Sequence, residues 1–90
     1  MDCACGYAAT PVPPTREAAI ASLGDHPQHR ELLELIEADG GKWMAVLRCR
    51  TCGRHWAEDS ISSGHAELTY HYPIDTDDPR AWLAAATNRF

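Results

Sequence analysis

The chain has 90 residues, a hydrophobic fraction of 44% and a formal net charge of −5, with four cysteines, five histidines and six prolines. That length allows a single domain, residues 1–90, with room for only a small core, and the apolar content excludes disorder as the default state. The acidity argues against broad binding to phosphate backbones and suits a basic protein partner.

The first element is a knot, Cys3-Ala4-Cys5-Gly6, which belongs with Cys49-Arg50-Thr51-Cys52-Gly53 because all four cysteines fall in these two stretches. Thiolates two or three residues apart on a tight turn can face one cation, and a glycine after the second lets the backbone turn without a Cβ clash. Cys3, Cys5, Cys49 and Cys52 are therefore expected to form a structural tetrathiolate metal site. Zinc is the expected ion; a rubredoxin-like iron site needs the same four thiolates, so the sequence leaves the choice of metal open. Four thiolates and Zn²⁺ would take the formal charge from −5 to −7.

Disulfides are the competing use of four cysteines, with three possible pairings. The start Met1-Asp2-Cys3 shows neither a basic n-region nor an apolar h-region, and no stretch is long enough to span a bilayer. A reducing, cytoplasmic setting is expected, where thiols persist. A Cys3–Cys5 bridge would also close a very small strained ring. Dithiol redox motifs normally open a helix, whereas Cys49 ends an apolar, strand-like run.

After the first knot, Thr10-Pro11-Val12-Pro13-Pro14 reads as an extended spacer, since proline blocks helix and withholds a ladder donor. Thr15 is placed to cap a helix from Arg16 to Leu23, with Glu17 in its first turn and Gly24 ending it. Ala19, Ile20 and Leu23 make its narrow buried stripe. Asp25 or His26 can cap a second helix, with Pro27 near its start, running to about Ala38. Leu32, Leu33, Leu35 and Ile36 would be its buried face. Glu31, Glu34 and Glu37 would form an acidic exposed face, either merely solvated or a partner-binding surface.

Asp39-Gly40-Gly41 breaks that helix and the periodicity changes. The near-continuous apolar run 43–48 leads into Cys49, and 54–59 leaves Cys52-Gly53 with strand-like alternation, so the two form a strand, knuckle, strand hairpin. A loop over 60–64 and a third strand over 66–72, stopped by Pro73, should follow. Asp75 to Asp78 supply capping acids, Pro79 suits the first helical position, and a last helix should reach Thr87 with Trp82 and Leu83 inward. The expected fold is α+β: a zinc-ribbon-like antiparallel sheet of about three strands, with two inserted helices and a C-terminal helix.

Cys3-x-Cys5-Gly6, then Trp43 and Leu47 leading into Cys49-x-x-Cys52-Gly53-x-x-Trp56, with the aromatic-Pro pair Tyr72-Pro73, resembles the small bacterial immunity proteins that accompany polymorphic secreted toxins. The specific part of the likeness is about a dozen positions. It implies that the protein binds and neutralises a cognate toxin while the cysteines hold structure. Zinc ribbons as a broader class resemble the chain equally well, and these also serve nucleic acids and protein complexes.

Three further groups could carry chemistry. His26 and His29 sit at a helix start, where capping or exposure explains them, and His55 beside the second knot could act as a ligand or donate to a cysteine sulfur. His65, Glu67 and His71 fall on one face if their segment is a strand, which would suit a second metal or acid/base site; the alternation of an exposed strand produces the same pattern. Arg48, Arg50 and Arg54 around the second knot either read phosphates or stabilise the thiolates electrostatically. No nucleophile context or glycine-rich phosphate loop is present. The expected function is thus a non-enzymatic, metal-stapled interaction protein. The alternatives are a zinc-ribbon nucleic-acid-binding or regulatory protein, and a small enzyme or accessory protein of a biosynthetic pathway.

Overall fold

The computed structural model describes residues 3–22, 26–62 and 67–90, and the side chains at 26, 27, 62 and 67 fall outside that description. Its elements run α1 (Arg16–Ala21), α2 (His26–Glu31), β1 (Leu33–Asp39), β2 (Met44–Cys49), β3 (His55–Ser62), β4 (Glu67–Ile74) and α3 (Pro79–Ala85). The strands form one antiparallel sheet in the order β1-β2-β3-β4. The fold is α+β, with four strands where about three were expected.

The additional strand corrects the second helix. That helix stops at Glu31 instead of reaching Ala38, and the leucine-rich stretch after it pairs with β2, Leu33 opposite Cys49 and Leu35 opposite Leu47. Leu, Glu and Ala favour helix locally, but helix propensity is a weak prior that a long ladder of strand pairing overrides. The register shifts between Leu35 and Glu37. This bulge at Ile36 explains why the run reads neither as clean alternation nor as a clean helical stripe.

Smaller differences follow the same logic. The α1 helix ends at Ala21, and the expected stop at Leu23 and Gly24 lies outside the described residues, as does Asp25. The expected loop over 60–64 is corrected in its first three residues: Ser60, Ile61 and Ser62 continue β3, paired with Thr69, Leu68 and Glu67, while 63 and 64 lie outside the described residues. Trp43 is not in a strand: it sits at φ 56 and is 63% exposed, in the turn before β2. Pro73 does not stop the last strand but lies within it, opposite Trp56. Since β4 is an edge strand, a missing N–H there need not break a ladder. The last helix ends at Ala85, two residues before Thr87.

The caps form where the sequence put them. The Thr15 hydroxyl accepts from the Ala18 N–H, and the Asp78 carboxylate accepts from the Ala81 N–H with Pro79 in the first turn. At the other end of α3, the Lys42 ammonium donates to the carbonyls of Leu83, Ala84 and Ala86. These are carbonyls that a helix leaves without intrahelical partners.

Strand alternation splits the buried residues into two layers. Met44, Val46, Ala57, Ile61, Tyr70, Tyr72 and Ile74 pack with Ala19 of α1 and Leu83 of α3. On the opposite face, Leu33, Leu47, Cys49 and Trp56 pack with Cys5, and with Cys3 and Tyr7 at the margin. Within the first layer lies a fully buried carboxylate. Asp59 accepts from the Tyr70 hydroxyl, the Ser60 N–H, the Asn88 amide and the Arg89 N–H, so the carboxyl-terminal segment is tied to the sheet through it. Burial, and then the Asp59 charge, push the Tyr70 hydroxyl well above the usual tyrosine range and Tyr72 up to about 12.

Candidate metal centre

Each knot is a tight turn closed by its own backbone. The Gly6 N–H donates to the Cys3 carbonyl at 2.9 Å and the Gly53 N–H to the Cys49 carbonyl at 3.0 Å. Both glycines adopt left-handed backbone, φ +74 and +77, which an L side chain would strain. Gly6 is also confined, since a Cβ there would meet the Thr10 hydroxyl at 3.2 Å. The sheet supplies Cys49 as the last residue of β2, and Tyr7 anchors the first knot by donating to the Ile74 carbonyl at 2.8 Å. The Tyr7 ring meets Trp56 edge-on.

These turns bring together all four expected cysteines, whose sulfurs lie within 4.8 Å of one another. Cys3 and Cys49 are 3.6 Å apart at sulfur, and so are Cys5 and Cys52. A disulfide would need about 2.05 Å, and the thiols are free. A tetrahedral ion with bonds of about 2.3 Å holds its sulfurs about 3.8 Å apart, so the group fits a metal ion with only small adjustment. Cys3 and Cys5 are separated by one residue rather than two, and the short half nevertheless presents both sulfurs. Cys5 and Cys49 are buried, Cys3 half-buried and Cys52 exposed, which places the cluster at the sheet margin.

The four thiols are electrostatically unequal. Burial raises the Cys49 pKa, but N–H groups of Cys52 and Thr51 aimed at its sulfur, with the neighbouring Cys3 and Cys52 thiols, more than offset this and bring it down to about 6. Cys5 is pushed up to about 12, first by burial and then by the other three thiols, against the Tyr7 N–H. Partial burial of its sulfur and the nearby Cys49 raise Cys52 as well. Lowering at Cys49 favours its thiolate while raising at Cys5 and Cys52 favours their thiols, so a cation must displace protons from these two to bind.

The remaining sequence candidates fare differently. His55 is half-buried in β3 and is not among the clustered ligands. His65 lies outside the described residues, and of Glu67 only the strand position is described. His71 is buried, and it meets partners no local pattern announced: its Nε2 lies 2.8 Å from Glu58, directly opposite on β3, and its Nδ1 lies 2.7 Å from Nδ1 of His29. His29, expected to be exposed or capping, bonds the Cys5 carbonyl through Nε2 at 2.9 Å and stands edge-on to Trp56. Arg30 completes the group with an ion pair to Glu58 at 3.3 Å.

The expected acidic helix face is divided by the fold. Glu31 is exposed at the end of α2, while Glu34 and Glu37 belong to β1. Glu34 accepts from Arg48, its cross-strand neighbour, and pairs more distantly with Arg50 at 3.9 Å; Glu37 pairs with Arg80 at 3.4 Å. Arg54 lies over the Tyr7 ring, 5.1 Å from its centroid. Among the described residues, no helix is long and apolar enough to cross a membrane. No protein-family model, curated protein sequence or solved structure matches the chain.

Proposed function

We propose that this chain is a non-enzymatic interaction protein whose fold is stapled by one zinc ion, and that it acts as an immunity protein, neutralising a cognate toxin by direct binding. The observation that carries the reading is the convergence of four protein sulfurs. Four protein ligands fill a tetrahedral shell, which marks a structural site, whereas catalytic zinc keeps a position open. Cys3, Cys5, Cys49 and Cys52 would hold the ion, which supplies positive charge to four thiolates and a cross-link between the amino terminus and the sheet. In small domains such binding contributes on the order of 10 kcal/mol to folding.

The toxin-binding part rests on the resemblance of the Cys49-x-x-Cys52-Gly53-x-x-Trp56 motif and on the acidity of the chain. Glu31 and Leu32 are exposed at the end of α2 and Leu35 is exposed on β1, and these residues would supply acidic and apolar contacts to a basic protein. The alternative of nucleic-acid binding is less well supported, because Arg48 and Arg50 are paired with Glu34 and Arg54 is stacked on Tyr7. Coexpression with a toxin domain encoded beside this gene tests the proposal. It expects protected growth and a stable complex, both lost in the double variant Glu31→Lys, Leu35→Arg at unchanged metal content. No protection and no complex with the wild-type protein would contradict it.

A further inference from the structure

The histidines at the second layer of the sheet raise a chemical problem. His29 directs Nε2 at a backbone carbonyl, that of Cys5, and a carbonyl only accepts. His71 directs Nε2 at Glu58, and Glu58 is held as a carboxylate by the Arg30 guanidinium, so it accepts too. Both Nε2 atoms face acceptors and so carry hydrogen, which turns the two Nδ1 atoms toward each other across 2.7 Å. If both rings are neutral, these atoms present lone pairs to each other; if one ring is protonated, they share its proton. Two acceptors at that distance repel unless an electrophile lies between them.

We propose that His29 and His71 form a second metal site, for a divalent ion of the zinc type, bound through the two Nδ1 atoms. Ligating histidines characteristically donate their other ring N–H to a carboxylate or a backbone carbonyl, which fixes tautomer and ring orientation. This pair has one of each. Imidazole suits zinc, copper and nickel, whereas calcium and magnesium take oxygen ligands. With bonds of about 2.0–2.1 Å and tetrahedral angles, the nitrogens would sit about 3.4 Å apart, so the rings must separate by about 0.7 Å. His29 is only half-buried, which allows that movement. Water fills whatever positions the protein leaves.

The site is joined to the tetrathiolate by a single residue. Cys5 gives its sulfur to one and its carbonyl to the orientation of the other. Filling the thiolate site should fix that carbonyl and prepare His29, so the two sites load in order, sulfur first.

Cobalt titration of the metal-free protein, followed by absorption and by mass spectrometry under native conditions, tests this. The expected result is two equivalents. The first develops thiolate-to-metal charge transfer, and the second adds visible bands without increasing it. His71→Ala and His29→Gln should retain the first step and lose the second, and Glu58→Gln should weaken the second roughly 10- to 100-fold. A wild-type protein saturated by one thiolate-bound equivalent would overturn the proposal, leaving a shared proton as the electrophile. A second equivalent that persists in both histidine variants would overturn it equally. One equivalent without charge transfer, lost in His71→Ala, would uphold the histidine site while refuting the tetrathiolate.

Discussion

The two faces of the sheet are held by different chemistry. One carries a continuous apolar layer, with α3 laid across it and a saturated buried carboxylate, Asp59, tying down the carboxyl-terminal segment. The other has a smaller apolar cluster, and two of its buried members are cysteines. Its cover is the amino-terminal knot and the short helix α2, joined to the sheet through sulfur, imidazole and guanidinium. A domain of this size can close one face by burial alone and needs a staple for the other. A cation held by the four cysteines would sit where the apolar material runs out.

Removing the metal breaks the comparison most severely. Chelation, or Cys52→Ser, should release the amino-terminal knot and lower stability by on the order of 10 kcal/mol, with hydrogen exchange rising first at residues 3–10 and in β1 and β2. Cys52 is exposed, so the loss would come from coordination and not from packing. If exchange instead rises first in α3, the two faces have been assigned the wrong way round.

Next in size is Asp59→Ala on the other face. It leaves the Tyr70, Ser60, Asn88 and Arg89 donors without their acceptor, and should cost about 3–5 kcal/mol in denaturant unfolding of the metal-loaded protein. Metal stoichiometry should not change, since the carboxylate serves the opposite layer.

A gentler probe is pH. Cys49 falls from an ordinary 9.0 to about 6 on folding, so the unfolded metal-free chain binds more protons between those values and stability rises with pH across them. Cys5 moves the other way, to about 12, so the folded chain holds the extra proton from 9 upward and stability falls there. The contribution of the knot to metal-free stability should peak near pH 9, as read by the difference in urea midpoint between wild type and Cys5→Ala, Cys49→Ala. Metal affinity should rise with pH over the same lower range, because Cys5 and Cys52 must surrender protons.

The smallest effect is expected at Trp43. Its left-handed backbone is strained for a side chain that is mostly exposed, and glycine relieves the strain at some entropic cost. Trp43→Gly should shift stability by less than about 1 kcal/mol. A loss of several would mean that this tryptophan packs as core.

What could be read without coordinates was whatever depends on near neighbours. Thr15, Asp78 and Pro79 announce helix starts because capping is local, and the four cysteines announce a common ligand because thiol pairs on tight turns have few other uses. The run from Leu33 to Ala38 reads as helix because its residues favour helix, while the deciding interaction is the ladder with β2 and a bulge at Ile36. His29 and His71 are 42 positions apart, and only the folding of α2 over β4 brings them together. The pairing of Glu58 with His71 follows from strand register, which neither segment states by itself.

The central claim, that one cation held by four thiolates secures the weaker face, is tested most directly by measuring metal content and thiol reactivity together on purified, unoxidised protein. The account predicts at least one equivalent of zinc or iron per chain and four thiols that react with Ellman's reagent only after chelation. Less than about half an equivalent, with all four thiols reacting at once in the folded protein, would contradict it.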